Sequence, residues 1–190
     1  MLLSLLMCVV LPASAASVVP KGECVILCGG VSLRSWEKYR LRDDQHDHWW
    51  KNFVRASTIR TRELRRTHGQ GMRINWLVYR PSYQLRGKEE GADLLALIKT
   101  VEPVYGVKVH WVDTEDDVFS YLNRRRGLSD KILSFDYFGH SNPYALLLDY
   151  SCEILGASKA FIHVRDLGKL SRRAFAPGAH IKSWGCYTGQ

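Results

Sequence analysis

An open α/β fold, with a mostly parallel sheet and helices on both faces, follows from three features of this 190-residue sequence. Short apolar runs of strand length recur at 24–28, 73–79, 107–112, 132–138 and from 179 onward. Helical patterns separate the first four, and alternation of strand and helix marks parallel strands joined by right-handed crossovers. Two of the runs lead into a glycine and then a side chain able to do chemistry, Gly139-His140 and Gly185-Cys186. Open parallel sheets place their ligands at that carboxyl edge.

The first run, Cys24-Val25-Ile26-Leu27-Cys28, is apolar throughout, as a strand buried on both faces must be, and Gly29-Gly30 turns the chain after it. A glycine pair there permits close approach of backbone to a ligand or a helix, but the remaining spaced glycines of a dinucleotide fingerprint do not follow. Arg34 lies just past the turn, within reach of the same edge as the later His and Cys. Cys24 and Cys28 share one strand with α-carbons ~13 Å apart, too far for a disulfide, and read as core residues.

From Leu41 the chain turns polar, with Asp43, Asp44, His46, Asp47 and His48 in one cluster. His and carboxylate suit zinc, yet this spacing matches no helical zinc motif. Carboxylates also favour the N-terminus of a helix, so the cluster reads as a solvated loop and helix start, and no metal site is assigned. Trp49 to Thr67 then sets Trp50, Phe53, Val54, Ser57, Thr61 and Leu64 near one helical face, with Arg55, Arg62, Arg65 and Arg66 largely off it. A basic helix of this kind can meet nucleic acid or an acidic surface; its ordinary role is a solvated face, which is the reading adopted. Gly69 and Gly71 end it.

Arg73 to Tyr79 is a strand stopped by Pro81, because proline cannot donate to a ladder. Glu89 to Val101 is a helix with Leu94, Leu95, Ile98 and Val101 inward and Pro103 beyond its end. Val107 to Val112 is the third strand. Thr114 caps a helix through Arg126, with Asp117 at the capping-box position and Val118, Phe119 and Leu122 on its apolar side. After the fourth strand, Tyr144 to Asp149 and Lys159 to Val164 pair as a hairpin around Cys152 to Ser158. Asp166 caps a short helix through Phe175, and Pro177-Gly178 resets the chain for the last strand.

The length suits one core and a single domain. The formal net charge of +8 bears on solubility and acidic partners, and does not by itself define a nucleic-acid binder. Met1 to Ala15 reads as a secretory signal: an apolar run from Leu2 to Leu11, then Pro12 and the small residues Ala13-Ser14-Ala15. The missing Lys or Arg ahead of the run leaves a buried N-terminal segment or a wrongly chosen start codon as the alternative. Export leaves a mature domain of 16–190, secreted or periplasmic and without a membrane segment, because no later stretch approaches ~20 uninterrupted apolar residues. Of the five cysteines, Cys8 departs with the signal. Cys24, Cys28, Cys152 and Cys186 are too sparse for a disulfide scaffold.

On Phe138-Gly139-His140-Ser141 and Ser183-Trp184-Gly185-Cys186, in that order at successive strand ends, the chain resembles the caspase-like cysteine peptidases, the group that includes legumain, clostripain, gingipain and metacaspase relatives. The hairpin and the Asp-capped helix between these motifs also resemble the family's layout, so the likeness runs from about Val25 to the end. It implies a Cys186/His140 dyad that cuts peptide bonds through an acyl-enzyme, with no cofactor, a peptide or protein as substrate, and no nucleic acid. The backbone N–H groups of Cys186 and Ser141 are the implied oxyanion donors, and Arg34 is a candidate substrate contact. Ser141 stands where the family commonly has Gly. Only four residues follow Cys186, where family members continue with pocket-forming strands and loops, so the resemblance implies a domain incomplete at its C-terminus.

Cys and His, each taken alone, are more often core residues than catalysts. Placed together after glycines at two strand ends, they supply a nucleophile that works as thiolate and a base to take its proton. Two other functions use the same residues differently. One is a catalytically inactive caspase-like module holding an acidic partner on its basic surface; the other is a thiol hydrolase acting on non-peptide esters or amides.

Overall fold

The computed structural model describes residues 21–39, 41–45, 47–124, 127, 130–150 and 160–186. The signal reading of 1–15, His46, Arg126 and the 152–158 loop with Cys152 lie outside the described residues; the helix expected from Thr114 through Arg126 ends earlier, at Asn123, because Arg124 is already extended with ψ 145°. Among the described residues there are eight strands: β1 (Glu23–Cys28), β2 (Arg73–Tyr79), β3 (Lys108–Val112), β4 (Ile132–Phe138), β5 (His140–Asn142), β6 (Ala145–Leu147), β7 (Phe161–His163) and β8 (Phe175–Ser183). Five of them form one sheet in the order β3-β2-β1-β4-β8, and every pairing in it is parallel. The chain steps outward from β1 through β2 to β3, then returns to the other side of β1 as β4. The crevice between β1 and β4 is therefore the topological switch point, where open α/β sheets bind ligands.

Both faces of the sheet are covered. Cys24, Ile26, Cys28, Ile74, Trp76, Val78 and Val109 project to one face, under α2 (Asn52–His68), α4 (Leu94–Lys99) and α5 (Val101–Tyr105). Val25, Leu27, Leu77, Tyr79, Val112, Phe135 and Tyr137 project to the other, under Val118, Phe119 and Leu122 of α6 (Glu115–Asn123) and Ile162 of β7. The period of two explains why neighbouring residues of one strand enter different cores. On α2 the buried residues are Val54, Ser57, Thr61 and Leu64, the expected helical face. Thr61 offers its hydroxyl oxygen to the Trp76 indole N–H at 3.0 Å, so the largest buried ring also has its polar tip satisfied.

Local signals in the chain account for several ends. The capping box of α6 forms as its residues dictate, with Thr114 Oγ1 accepting from Asp117 N–H and the Asp117 carboxylate accepting from Thr114 N–H. The hairpin also forms, β6 pairing antiparallel with β7, and β5 adds a third strand to it. Other expectations are corrected. Pro81 does not merely stop β2; it sits in the first turn of α3 (Arg80–Glu90), where a missing N–H costs nothing. The helix expected over 89–101 is broken at Gly91, which takes the left-handed conformation with φ 64°, and resumes as α4 with Asp93 capping the Ala96 N–H. Pro103 lies inside α5. No α-helix runs from Asp166 to Phe175; the segment makes 3-10 turns at Val164–Lys169 and Arg172–Ala174, and β8 already begins at Phe175. A four-residue helix, α1 (Arg34–Glu37), follows β1.

Among the described residues no helix is long and apolar enough to cross a membrane. The packing of α2 gives a direct check on the core. Leu64→Ala, at a position 2% exposed, is expected to lower stability by about 2–5 kcal/mol, whereas Arg66→Ala on the open face should change it by less than about 0.5 kcal/mol, both measured by urea unfolding.

Candidate active site

The register of the sheet brings the two glycine motifs together. Asp136 pairs with Lys182 and Tyr137 with Ser183, and the Trp184 N–H continues the ladder to the Tyr137 carbonyl at 2.9 Å. Carried past the strand ends, the same offset sets Gly139 level with Gly185 and His140 level with Cys186. The packing agrees: a Cβ added to Gly185 would stand 2.9 Å from the Gly139 carbonyl oxygen and overlap the Ser141 hydroxyl. One at Gly139 would overlap the Tyr137 phenol. Gly185 is therefore required by close approach of the two chain segments, and Gly139 by the buried Tyr137 ring packed over it.

The turn carrying Cys186 is tied down on two sides. Ser141 donates its hydroxyl to the Cys186 carbonyl, so this serine links the two motifs directly. Trp184 donates its indole N–H to Asp136 Oδ1 at 3.0 Å and stacks on Phe138 with ring centroids 5.7 Å apart. Asp136 is fully buried, and it also accepts from Arg60 Nε of α2 at 3.0 Å and from the Ser134 hydroxyl at 2.7 Å. The carboxylate is thus compensated by a guanidinium and two neutral donors, as a buried charge needs.

His140 is 7% exposed and lies in an enclosed polar pocket. Its Nε2 stands 2.6 Å from Asp47 Oδ2, its ring meets Phe53 edge-on with centroids 5.1 Å apart, and Tyr150 stacks on it at 4.3 Å. Asp47 is 1% exposed, which corrects the solvated-loop reading for this member of the 43–48 cluster. Its Oδ2 also accepts the Ser32 N–H at 2.7 Å, and its own N–H points to Glu37 Oε2 at 3.4 Å. Arg86 of α3, fully buried, holds this loop from beneath: Nη1 donates to the carbonyls of Ser32 (2.6 Å) and Asp47 (2.9 Å), Nη2 to that of His48 (3.0 Å), and Nε to Glu90 (2.7 Å). Sequence reading missed Asp47 and Arg86. Asp47 is 93 residues from His140, and no local pattern joins them.

The remaining candidates fall as follows. Cys186 is exposed, whereas Cys24 and Cys28 are buried in the sheet as expected. Burial pushes the Cys24 thiol up to about 12, helped by the nearby Asp136 charge, and the Cys28 thiol to about 11. Both are inert at neutral pH. Arg34 opens α1; its guanidinium pairs with Glu90 at 3.7 Å and its side chain is 60% exposed, while its backbone N–H donates to Glu89 at 2.6 Å. Among the described residues no cluster of three or more His, Cys, Asp or Glu side chains is arranged to hold a metal ion. An apolar cavity of about 510 Å³ lies on the α6 face of the sheet, bounded by Tyr144, Leu146, Leu167, Ile181 and Ser183, away from the Asp47 side.

No family model matches the chain, and neither does any curated protein or solved structure compared with it. The site is accordingly defined by its own geometry: a buried, oriented imidazole and an exposed thiol on adjoining strand ends.

Two measurements follow from the thiol environments. Iodoacetamide at pH 7 should alkylate Cys186 and leave Cys24 and Cys28 unmodified until the protein is denatured, as read by peptide mass mapping. The raised thiols also set a sign for alkaline stability. Unfolded Cys24 and Cys28 lose their protons near the ordinary value of 9.0 while the folded ones retain them, so above pH ~9 the folded state binds more protons and stability falls as pH rises. The urea midpoint should drop above that pH, and Cys24→Ala should flatten the slope.

Proposed function

We propose that the chain is a caspase-like cysteine peptidase, exported from the cell, that cleaves a peptide or protein substrate through a Cys186 acyl-enzyme. The observation that carries this reading is the direct tie between the two motifs, the Ser141 hydroxyl on the Cys186 carbonyl, at the edge of neighbouring parallel strands. In the proposed reaction His140 takes the Cys186 proton and the thiolate attacks the scissile carbonyl. The backbone N–H groups of Cys186 and Ser141 stabilise the tetrahedral oxyanion, a contribution of roughly 3 kcal/mol per donor. The protonated imidazole then protonates the leaving amine, and water hydrolyses the thioester with His140 acting as base again. Arg34, on the loop side of β1, is the proposed contact for a polar group of the substrate.

A second reading is a catalytically silent module. It draws on the enclosure of His140 between Phe53, Tyr150 and Asp47, since a histidine satisfied inside a core can serve packing alone. Comparing the full chain with Cys186→Ala on a peptide library separates the two. The peptidase reading expects turnover that vanishes in the variant, together with labelling of Cys186 by a thiol-directed acylating probe. Equal cleavage by both forms removes Cys186 from the chemistry, and silence from both favours the module.

A further inference from the structure

We infer that Asp47 is the positioning residue of this site: it fixes His140 with the proton on Nε2, so that proton exchange with Cys186 falls to Nδ1. The inference rests on the peptidase reading and deepens it from a dyad to a triad. Three features carry it. The first is the contact itself, 2.6 Å between His140 Nε2 and Asp47 Oδ2, with Asp47 1% exposed and the imidazole 7% exposed. A contact this short between two buried groups is charge-assisted and directional. The second is that Oδ2 also accepts the Ser32 N–H at 2.7 Å. An oxygen that receives a backbone donor behaves as an acceptor, and an ionised carboxylate has acceptors only, so the imidazole nitrogen facing it carries the hydrogen.

The third is the framework around the pair. A surface carboxylate swings among rotamers and defines no ring orientation, but here the Asp47 backbone is clamped. Arg86 donates to its carbonyl, to that of Ser32 and to that of His48, while Glu37 receives its N–H. Phe53 and Tyr150 bound the ring on an edge and a face, so the Asp47 contact removes the remaining rotational freedom. When His140 gains the thiol proton, the adjoining carboxylate stabilises the imidazolium without itself taking a proton. Atoms balance within the site: the proton leaves Cys186 Sγ for Nδ1 and later passes from Nδ1 to the leaving amine.

The test uses the full chain labelled with 15N on histidine, as wild type, Asp47→Asn, Asp47→Glu and Cys186→Ala. The inference expects the His140 Nε2–H tautomer in wild type, carrying a hydrogen-bonded, downfield proton signal. Asp47→Asn should move that signal upfield, slow Cys186 alkylation by iodoacetamide by about tenfold, and lower kcat by ~10²-fold or more with KM changed less than about threefold. Asp47→Glu, which restores the charge although it fits the pocket less well, should recover part of kcat; a purely structural role predicts the opposite order, with Asn the milder change. Thermal midpoints of the variants report folding. An unmoved Nε2–H signal and unchanged alkylation in Asp47→Asn would overturn the inference. Cleavage that survives Cys186→Ala, or no cleavage by wild type, would instead remove the peptidase reading, and the tautomer signal would still decide whether Asp47 holds His140.

Discussion

The buried guanidinium of Arg86 is the constraint on which the carboxyl edge depends. A full charge with no access to water is tolerated only when its donors are matched, and Arg86 meets that demand with Glu90 and three carbonyls from two different loops. One of those loops follows β1 and the other precedes α2. Neither has a ladder to hold it, so the fork of Arg86 stands in for secondary structure there, fixing two irregular segments against α3. An Arg suits this task because its planar, permanently charged group presents donors in fixed directions. Lysine would bring the charge without the fork.

From that anchor the site is assembled by short steps. Arg86 sets the Asp47 backbone, Asp47 meets His140, His140 follows the end of β4, and Ser141 reaches across to the Cys186 turn. A second chain of contacts runs from Arg60 on α2 through Asp136 to Trp184 and reaches the same turn from the other side. Both begin at arginines on helices and end on the turn that follows β8. The Cys186 turn is therefore located by polar ties more than by apolar packing, which leaves the Cys186 side chain exposed while its backbone is held.

Much of the scaffold was legible because its signals are local. The all-buried run of β1, the four inward positions of α2 and the Thr114/Asp117 capping box each lie within a few turns of chain. The split of the 89–101 helix was less so, since Gly91 works by adopting φ 64°, a conformation that glycine permits without demanding. Asp47 was misjudged for a different reason: a carboxylate in a polar stretch is normally solvated, and what buries this one is an imidazole 93 residues later and an arginine on a helix that Pro81 had disguised. Pairings across the sheet and between loops leave no periodic trace in a single chain. The glycines before His140 and Cys186 were visible as motifs, but the contacts that exclude any Cβ there become apparent only in three dimensions.

β8 forms one margin of the five-stranded sheet, and its make-up bears on how the protein behaves at high concentration. An open margin invites another chain to lie alongside and extend the sheet. Pro177, which has no N–H to offer, and Gly178, turned to φ 74°, interrupt its first half, and the register shifts between Ile132 and Ser134 of the neighbouring strand. In the second half Lys182 stands exposed with its ammonium 3.5 Å from the Trp184 ring centroid. A like-charged neighbour approaching in register would have to displace that cation or bury it. Along β8, proline, a left-handed glycine and an exposed cation therefore each work against in-register pairing with a further strand.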